Sequence, residues 1–327
     1  MTGSFSTADL ALARRIEAAE AANGFRVARA VAEVSPGLGA VAEPFLGGCA
    51  LFGGVGSPST HALGIGMQGP AAREEFDRME GFFRERGSAV LIDLCPLADA
   101  SLLEMVFSRG YRVIEFNNVM IRRIATEGPP AVKDGLTVSV ACGRDLDTWN
   151  RTVARGFQER DEVDDSFVEM LAGASRFGQC YLARRDQEAV AGGGMSVQDG
   201  VAYLFGDATV LAGRRRGAHA ALIQARMADA AAAGCDLAMG LRGAGQRVPP
   251  QLRTGGVRTA VHAGESEPAV APDRSAEYTG SDHGPFRPTA LSDSGGWGSR
   301  GGGPVFSGLF PPTACPGPVL GEVGHGR

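Results

Sequence analysis

The sequence predicts an α+β fold in two similar halves, each a mixed, mostly antiparallel sheet flanked by helices, with a disordered tail behind them. Three observations predict it. Short β-type runs alternate with helical periodicity twice over, on either side of the linker Gly128-Pro129-Pro130. In the second half, a glycine turn joins a strand to a long alanine-rich helix. After Gly240 the composition changes abruptly. The expected division is residues 1–127, a linker 128–135, a second half 136–240 and a tail 241–327.

Length and charge narrow the class. A chain of 327 residues can build two cores. A net charge of −5 does not suit neutralising nucleic-acid phosphates, so no nucleic acid is expected as partner. The six cysteines show no Cys-x-x-Cys pair, which argues against a zinc site and a disulfide framework, and no metal is expected. No stretch approaches a membrane span, and the first residues lack a signal-peptide core. The expectation is a cytoplasmic, reduced protein without a membrane partner, its oligomeric state open.

The first half opens on an amphipathic helix, capped by Ser6 or Thr7, with Leu10, Leu12 and Ile16 on its apolar side and Gly24 as its stop. Cys49–Val55 and Ala62–Met67 read as strands. Ala71–Arg86 reads as a helix burying Phe76, Met79, Phe82 and Phe83, and Gly87 ends it. Ala89–Leu94 is a buried strand, Ala98–Ser108 a helix, and Val113–Arg122 a strand entered through Arg109-Gly110-Tyr111.

The second half repeats the pattern. Leu136–Ala141 is a strand, and Asp145–Phe157 a helix capped by Asp145 or Asp147. The acidic run Glu159–Asp165 leads to a second helix ending near Phe177. Strands at Gln179–Arg184, Ala189–Val197 and Val201–Val210 form a meander with turns at Arg185-Asp186 and Asp199-Gly200. Then comes Arg214-Arg215-Arg216-Gly217-Ala218-His219-Ala220, opening a helix that Gly234 closes. Arginines at a helix N-terminus oppose its dipole, and an anion in the turn resolves that conflict. Gly217 would let backbone amides approach it.

Strand, basic glycine turn, alanine-rich helix and a further apolar stretch at Cys235–Met239 resemble the acetyl-CoA site of the GNAT N-acetyltransferase superfamily. Its motif is Arg/Gln-x-x-Gly-x-Gly/Ala. Arg214 and Gly217 match the first and fourth positions, while His219 stands at the sixth in place of Gly or Ala. The resemblance implies a tandem GNAT fold and direct transfer of an acyl group from acetyl-CoA, as co-substrate, to the amine of a small molecule or protein. It implies that amides around Arg216, Gly217, Ala218, His219 and Ala220 hold the pyrophosphate, with charge from Arg214, Arg215 and Arg216. The strand end Thr209, Val210 and Leu211 would bond the pantetheine arm. Asp207 is the candidate base, through water, with an ordinary polar strand position as the favoured alternative. His219 is either a phosphate contact or helix surface. The acidic run either attracts a cationic amine or, the favoured reading, is a solvated helix end. His61 is read as a residue without a catalytic role. Pro70 stands where the first half would need a donor amide, so that half reads as degenerate. A coenzyme-binding module without turnover is the alternative function.

From Leu241 onward Gly, Pro, Ser and Arg dominate, and Ile, Met, Asn and Lys are absent, which reads as disorder. A GNAT domain needs a helix and a closing strand here. A reading one nucleotide out of register, with high-GC codons, yields a helix, an Ala-Gly-Phe turn and a Tyr-bearing strand in place of residues 241–268. The expectation is a frameshift near Met239–Leu241, which would make an inactive product a further alternative.

Overall fold

The computed structural model of the chain describes residues 10–124, 135–243 and 253–263, the last as backbone. The expected caps Ser6 and Thr7, nearly all of the 128–135 linker, and residues 244–252 and 264–327 of the expected tail lie outside these.

One eleven-stranded sheet runs through both halves. The first half supplies β1 (Val41–Phe45), β2 (Gly48–Phe52), β3 (His61–Leu63), β4 (Leu91–Leu94) and β5 (Tyr111–Arg123). The second supplies β6 (Leu136–Val140), β7 (Gln179–Arg185), β8 (Glu188–Gln198), β9 (Val201–Thr209), β10 (Leu237–Gly243) and β11 (Arg253–Ala263). Their order is β1-β2-β3-β4-β11-β5-β10-β9-β8-β7-β6. Each half is therefore closed by the last strand of the other: β11 lies between β4 and β5, and β5 between β11 and β10.

Alternation along the strands sorts the core onto two faces. One face packs against α1 (Leu10–Val34), α4 (Asp145–Gln158) and α5 (Asp165–Ala174), with Leu51, Leu63, Trp149, Leu182, Tyr203, Phe205 and Met239 between the layers. The other carries α2 (Arg73–Arg84) and α3 (Ala100–Ser108) over the first half, and α6 (Ala218–Ala232) over the second. α2 carries the buried Glu80, to which the Tyr111 hydroxyl donates at Oε1 at 2.9 Å and Arg109 at Oε2 at 3.0 Å. The turn Arg109-Gly110-Tyr111 thus anchors β5, with Gly110 at φ 78°.

Several boundaries move for physical reasons. Gly24 does not stop α1: a Cβ there would lie 2.5 Å from Cys49 Sγ, so glycine is the residue that lets the helix seat on β2. On both sides of that contact α1 bridges the halves. Arg14 Nε donates to Met67 O at 2.8 Å, Arg15 Nη1 to Asp236 Oδ2 at 2.8 Å, and Arg26 Nη1 to Val197 O at 3.3 Å. The expected Asp145 or Asp147 cap of α4 is not used; Arg144 stands at that position without a side-chain cap bond, and Asp145 instead accepts from Arg184 at 2.7 Å. β1 is a strand the sequence reading passed over, because Pro44 lowers strand character; a proline is admissible on this sheet edge.

The boundary at 240 does not end the fold. β10 continues to Gly243, and Arg253–Ala263 is the missing closing strand, in register with β5 from Arg253↔Ile121 to Ala263↔Tyr111. Thr254, Val257, Thr259 and Val261 supply its β-branched residues. Cys49, Cys95, Cys180 and Cys235 are buried thiols. Among the described residues no helix is long and apolar enough to cross a membrane.

Two outcomes test this architecture. Gly24→Ala should destabilise the chain by about 1–3 kcal/mol in urea unfolding, although alanine is the better helix former; a stabilised variant would unseat α1 from Cys49. A chain ending at Gly243 leaves β4 and β5 without their shared partner and should lose its cooperative thermal transition.

Candidate functional site

The site is built where β9 and β10 part. They pair in parallel only from Val201↔Leu237 to Tyr203↔Met239. Beyond that, β10 stays with β5 to Gly243 while β9 follows β8 to Thr209, so a gap opens along β9.

β9 is bulged on the edge of that gap. Gly192 pairs with Ala208 and Gly194 with Phe205, so Gly206 and Asp207 face Gly193 alone. Gly206 sits at φ 64°, and a Cβ on it would come within 3.1 Å of the Trp149 ring. Two side chains take up the carbonyls near the bulge. Trp149 Nε1 donates to Gly193 O at 3.1 Å, and Arg226 Nη1 to Gly194 O at 2.9 Å. The run Gly192-Gly193-Gly194 makes room: a Cβ at these positions would press on Val153, on the Arg226 guanidinium and on Phe205 respectively.

Arg226 is fully buried, and its partner is Asp207. Nη1 donates to Oδ2 at 3.0 Å, Nη2 makes a second bond to Oδ1, and Nε donates to Leu222 O at 3.1 Å. His219 Nε2 lies 3.4 Å from Asp207 Oδ1 on the other side. Burial alone would raise the Asp207 carboxyl. The Arg226 charge and the bonds from His219 and Arg226 outweigh it and hold this group well below the usual carboxylate range.

Past Thr209, Val210 is buried and its N–H donates to Val190 O at 3.0 Å, while Leu211 is exposed and begins a 3-10 turn to Gly213. The arginines follow in the turn and precede α6 rather than opening it. Gly217, at φ 89°, is the N-cap of α6, with no side-chain cap bond and no acidic residue in the first turn. Arg215 at φ 61° also holds the left-handed region, at about 1–2 kcal/mol for a residue with a Cβ. The first-turn amides are thus left to an outside acceptor. Ala218 is buried, and His219 and Ala220 are half-buried beside it.

The three arginines play different parts. Arg214 is a staple: Nε donates to Thr209 O at 3.2 Å, Nη2 to Gly156 O at 3.3 Å, and the group pairs with Glu159 at 2.8 Å. It ties the turn to the end of α4, whose partial negative charge it faces. Arg215 and Arg216 are exposed, and Arg216 O accepts from Arg185 at 3.1 Å. The structure therefore gathers Thr209 to Ala220 at one helix end, and gives Asp207 a pairing role where a base needs a free lone pair. In the acidic run, Asp161 pairs with Arg155 of α4 at 2.5 Å, Asp164 with Arg160 at 2.7 Å and Glu159 with Arg214 at 2.8 Å. His61 is buried with Nδ1 3.7 Å from Asp93, away from the turn.

The first half has the same bend without the vacancy. Gly64 is at φ 66°, and a Cβ on it would lie 2.5 Å from Glu17 O. Around the N-terminus of α2, Ala71 N donates to Ser101 Oγ at 2.8 Å, and Glu74 and Glu75 occupy the first turn. Those carboxylates oppose a polyanion there.

Arg226, Trp149 and Gly206 were not singled out in the sequence. Arg226 was legible as a charge on the apolar stripe Leu222-Arg226-Ala230, and the triple glycine as a strand that must accept large neighbours.

Asp207→Asn leaves Arg226 as an unpaired buried charge, and should cost about 3–5 kcal/mol near pH 7. Because the folded Asp207 titrates below its unfolded value, its contribution is whole above about pH 4 and is lost as pH falls further. Urea unfolding between pH 3 and 7 should show the gap between the two proteins narrowing only on the acid side. A gap independent of pH would mean that Asp207 is not ionised in the fold.

No protein-family model and no curated protein matches the chain. Solved structures do. A GCN5-related N-acetyltransferase from Kribbella flavida aligns over 73% of this chain and 96% of its own, with TM-score 0.55 and 16% identity. A GCN5-related N-acetyltransferase from Sphaerobacter thermophilus aligns over 58% and 66%, with TM-score 0.45 and 14% identity. A tandem GNAT protein from the clavulanic acid biosynthesis pathway aligns over 60% and 70%, with TM-score 0.45 and 12% identity. With its parted parallel strands, glycine bulge and uncapped helix between them, the chain has the fold of the GCN5-related N-acetyltransferases.

Proposed function

We propose that the second half binds acetyl-CoA in the gap beside β9 and transfers its acyl group directly to an amine of a small molecule or protein. The observation that carries this reading is the uncapped N-terminus of α6 at Gly217, next to the parted strands β9 and β10. A pyrophosphate is the ligand such a terminus suits, and Arg215 and Arg216 add positive field around it. Arg214 acts on the turn's shape through Gly156, Thr209 and Glu159.

The coenzyme supplies an acyl thioester, and the protein's share is positioning and electrostatics. The edge of β9 that faces away from β8, around Ala208 and Thr209, holds the pantetheine arm. The bulge at Gly206-Asp207 turns backbone N–H groups out of the ladder, where they can stabilise an oxygen that gains negative charge. Asp207 is a positioning residue: it fixes Arg226 across the bulge and His219 at the helix end. The amine nitrogen forms its bond to the acyl carbon as the carbon–sulfur bond breaks. The proton the amine loses passes through water in the gap to the departing thiolate, which leaves as the thiol.

Thiol release from acetyl-CoA, measured with a panel of amines, is the test. Gly217→Asp puts a carboxylate at the anion site and a residue with a Cβ at φ 89°, and should lower coenzyme affinity by about a hundredfold or more. Gly206→Val should lower kcat more than affinity, since it disturbs the bulge and not the turn. Tight coenzyme binding with no turnover on any amine would instead make the chain a silent acyl-CoA-binding module.

A further inference from the structure

We propose that a cavity between α1, the β2–β3 loop and α5 is a second binding site, for a compact apolar molecule carrying one amine. Its volume is about 390 Å³, within the range of small-molecule pockets. Val27, Val31 and Val34, at i, i+4 and i+7 on α1, form one wall, and Met170, Ala174 and Phe177 the facing one. None of the residues around it belongs to the bulge, the turn or the first turn of α6, so the site does not rest on the acyl-transfer reading.

Gly173 shows that this space is kept rather than left over. It is buried beside the cavity, it has no positive φ, and a Cβ on it would meet nothing within 4 Å. Neither backbone conformation nor close packing demands glycine there. Within α5, glycine is less stable than alanine by about 0.5–1 kcal/mol, and what the missing side chain leaves is room. The hydroxyl-bearing residues Ser35, Ser57 and Ser59 lie on the loop side. Glu169 is the one ionisable residue among those lining the cavity. An apolar body thus meets hydrocarbon, a carboxylate at the rim favours a cation, and a polyanion such as the coenzyme is disfavoured. Since α1 and the loop come from one half and α5 from the other, an occupant holds the halves together and raises the melting temperature.

The test titrates the full chain with 2-phenylethylamine, 2-phenylethanol and 3-phenylpropionate, which share one apolar body, by calorimetry and thermal unfolding. The amine is expected to bind tightest and the carboxylate weakest. Glu169→Gln should bring the amine down to the affinity of the alcohol. Gly173→Leu fills the cavity from an open position, and should keep or raise the melting temperature while abolishing binding of both. Amine binding should survive Gly217→Asp, which disables only the coenzyme turn. The proposal is overturned by absence of binding, by equal binding of all three probes, by binding that persists in a folded Gly173→Leu protein, or by its loss in Gly217→Asp.

Discussion

A strand inside a sheet must have hydrogen-bond partners on both sides, and here that requirement is met only by exchange. β4 and β10 each end the parallel pair of their own half, and each takes as its next neighbour the closing strand of the other half. β5 and β11 then pair with one another over their whole length, from Arg253↔Ile121 to Ala263↔Tyr111. The two halves consequently share one continuous sheet. α1 reinforces this across the same face, reaching Met67 in one half and Asp236 in the other.

The candidate coenzyme site depends on that sheet for its geometry. β10 is held to β5 through Gly243, and this keeps it from following β9, so the gap beside β9 is built by a strand from the other half. The bulge on β9 needs support on both faces. Trp149 from α4 takes the Gly193 carbonyl on one, and Arg226 from α6 takes Gly194 and Asp207 on the other. A buried arginine is tolerable because it is paired with a carboxylate and also donates to the Leu222 and Gly194 carbonyls. The first half keeps the bend and loses the anion site, since Glu74 and Glu75 stand where negative charge would be received.

Local patterns were read correctly where local physics decides. The meander β7-β8-β9, the helices α2, α3 and α6, and the basic turn with Gly217 follow from periodicity and turn chemistry within a few residues. Readings failed where a distant neighbour decides. Gly24 was taken as a stop, yet Cys49 makes it a contact point within a longer helix. Arg253–Ala263 was taken as part of a tail, because glycine and arginine hide its β-branched alternation; its place between β4 and β5 comes from partners over a hundred residues away. Asp207 was weighed as a candidate base, with an ordinary polar strand position favoured; its pairing with Arg226 and His219, which lowers its proton affinity, is set by α6 and has no trace in the local sequence.

The sequence by itself determined which segments are strands and helices, that the pattern occurs twice, and that an anion-receptive turn precedes α6. These are properties of spacing, glycine and charge along a few neighbouring residues. Tertiary structure alone decided that the halves share one sheet, that β9 and β10 part, which arginine staples the turn and which one is buried beneath it. These depend on contacts between residues far apart in the chain, where a hydrogen bond or a Cβ clash is set by packing and leaves no periodic trace in the sequence.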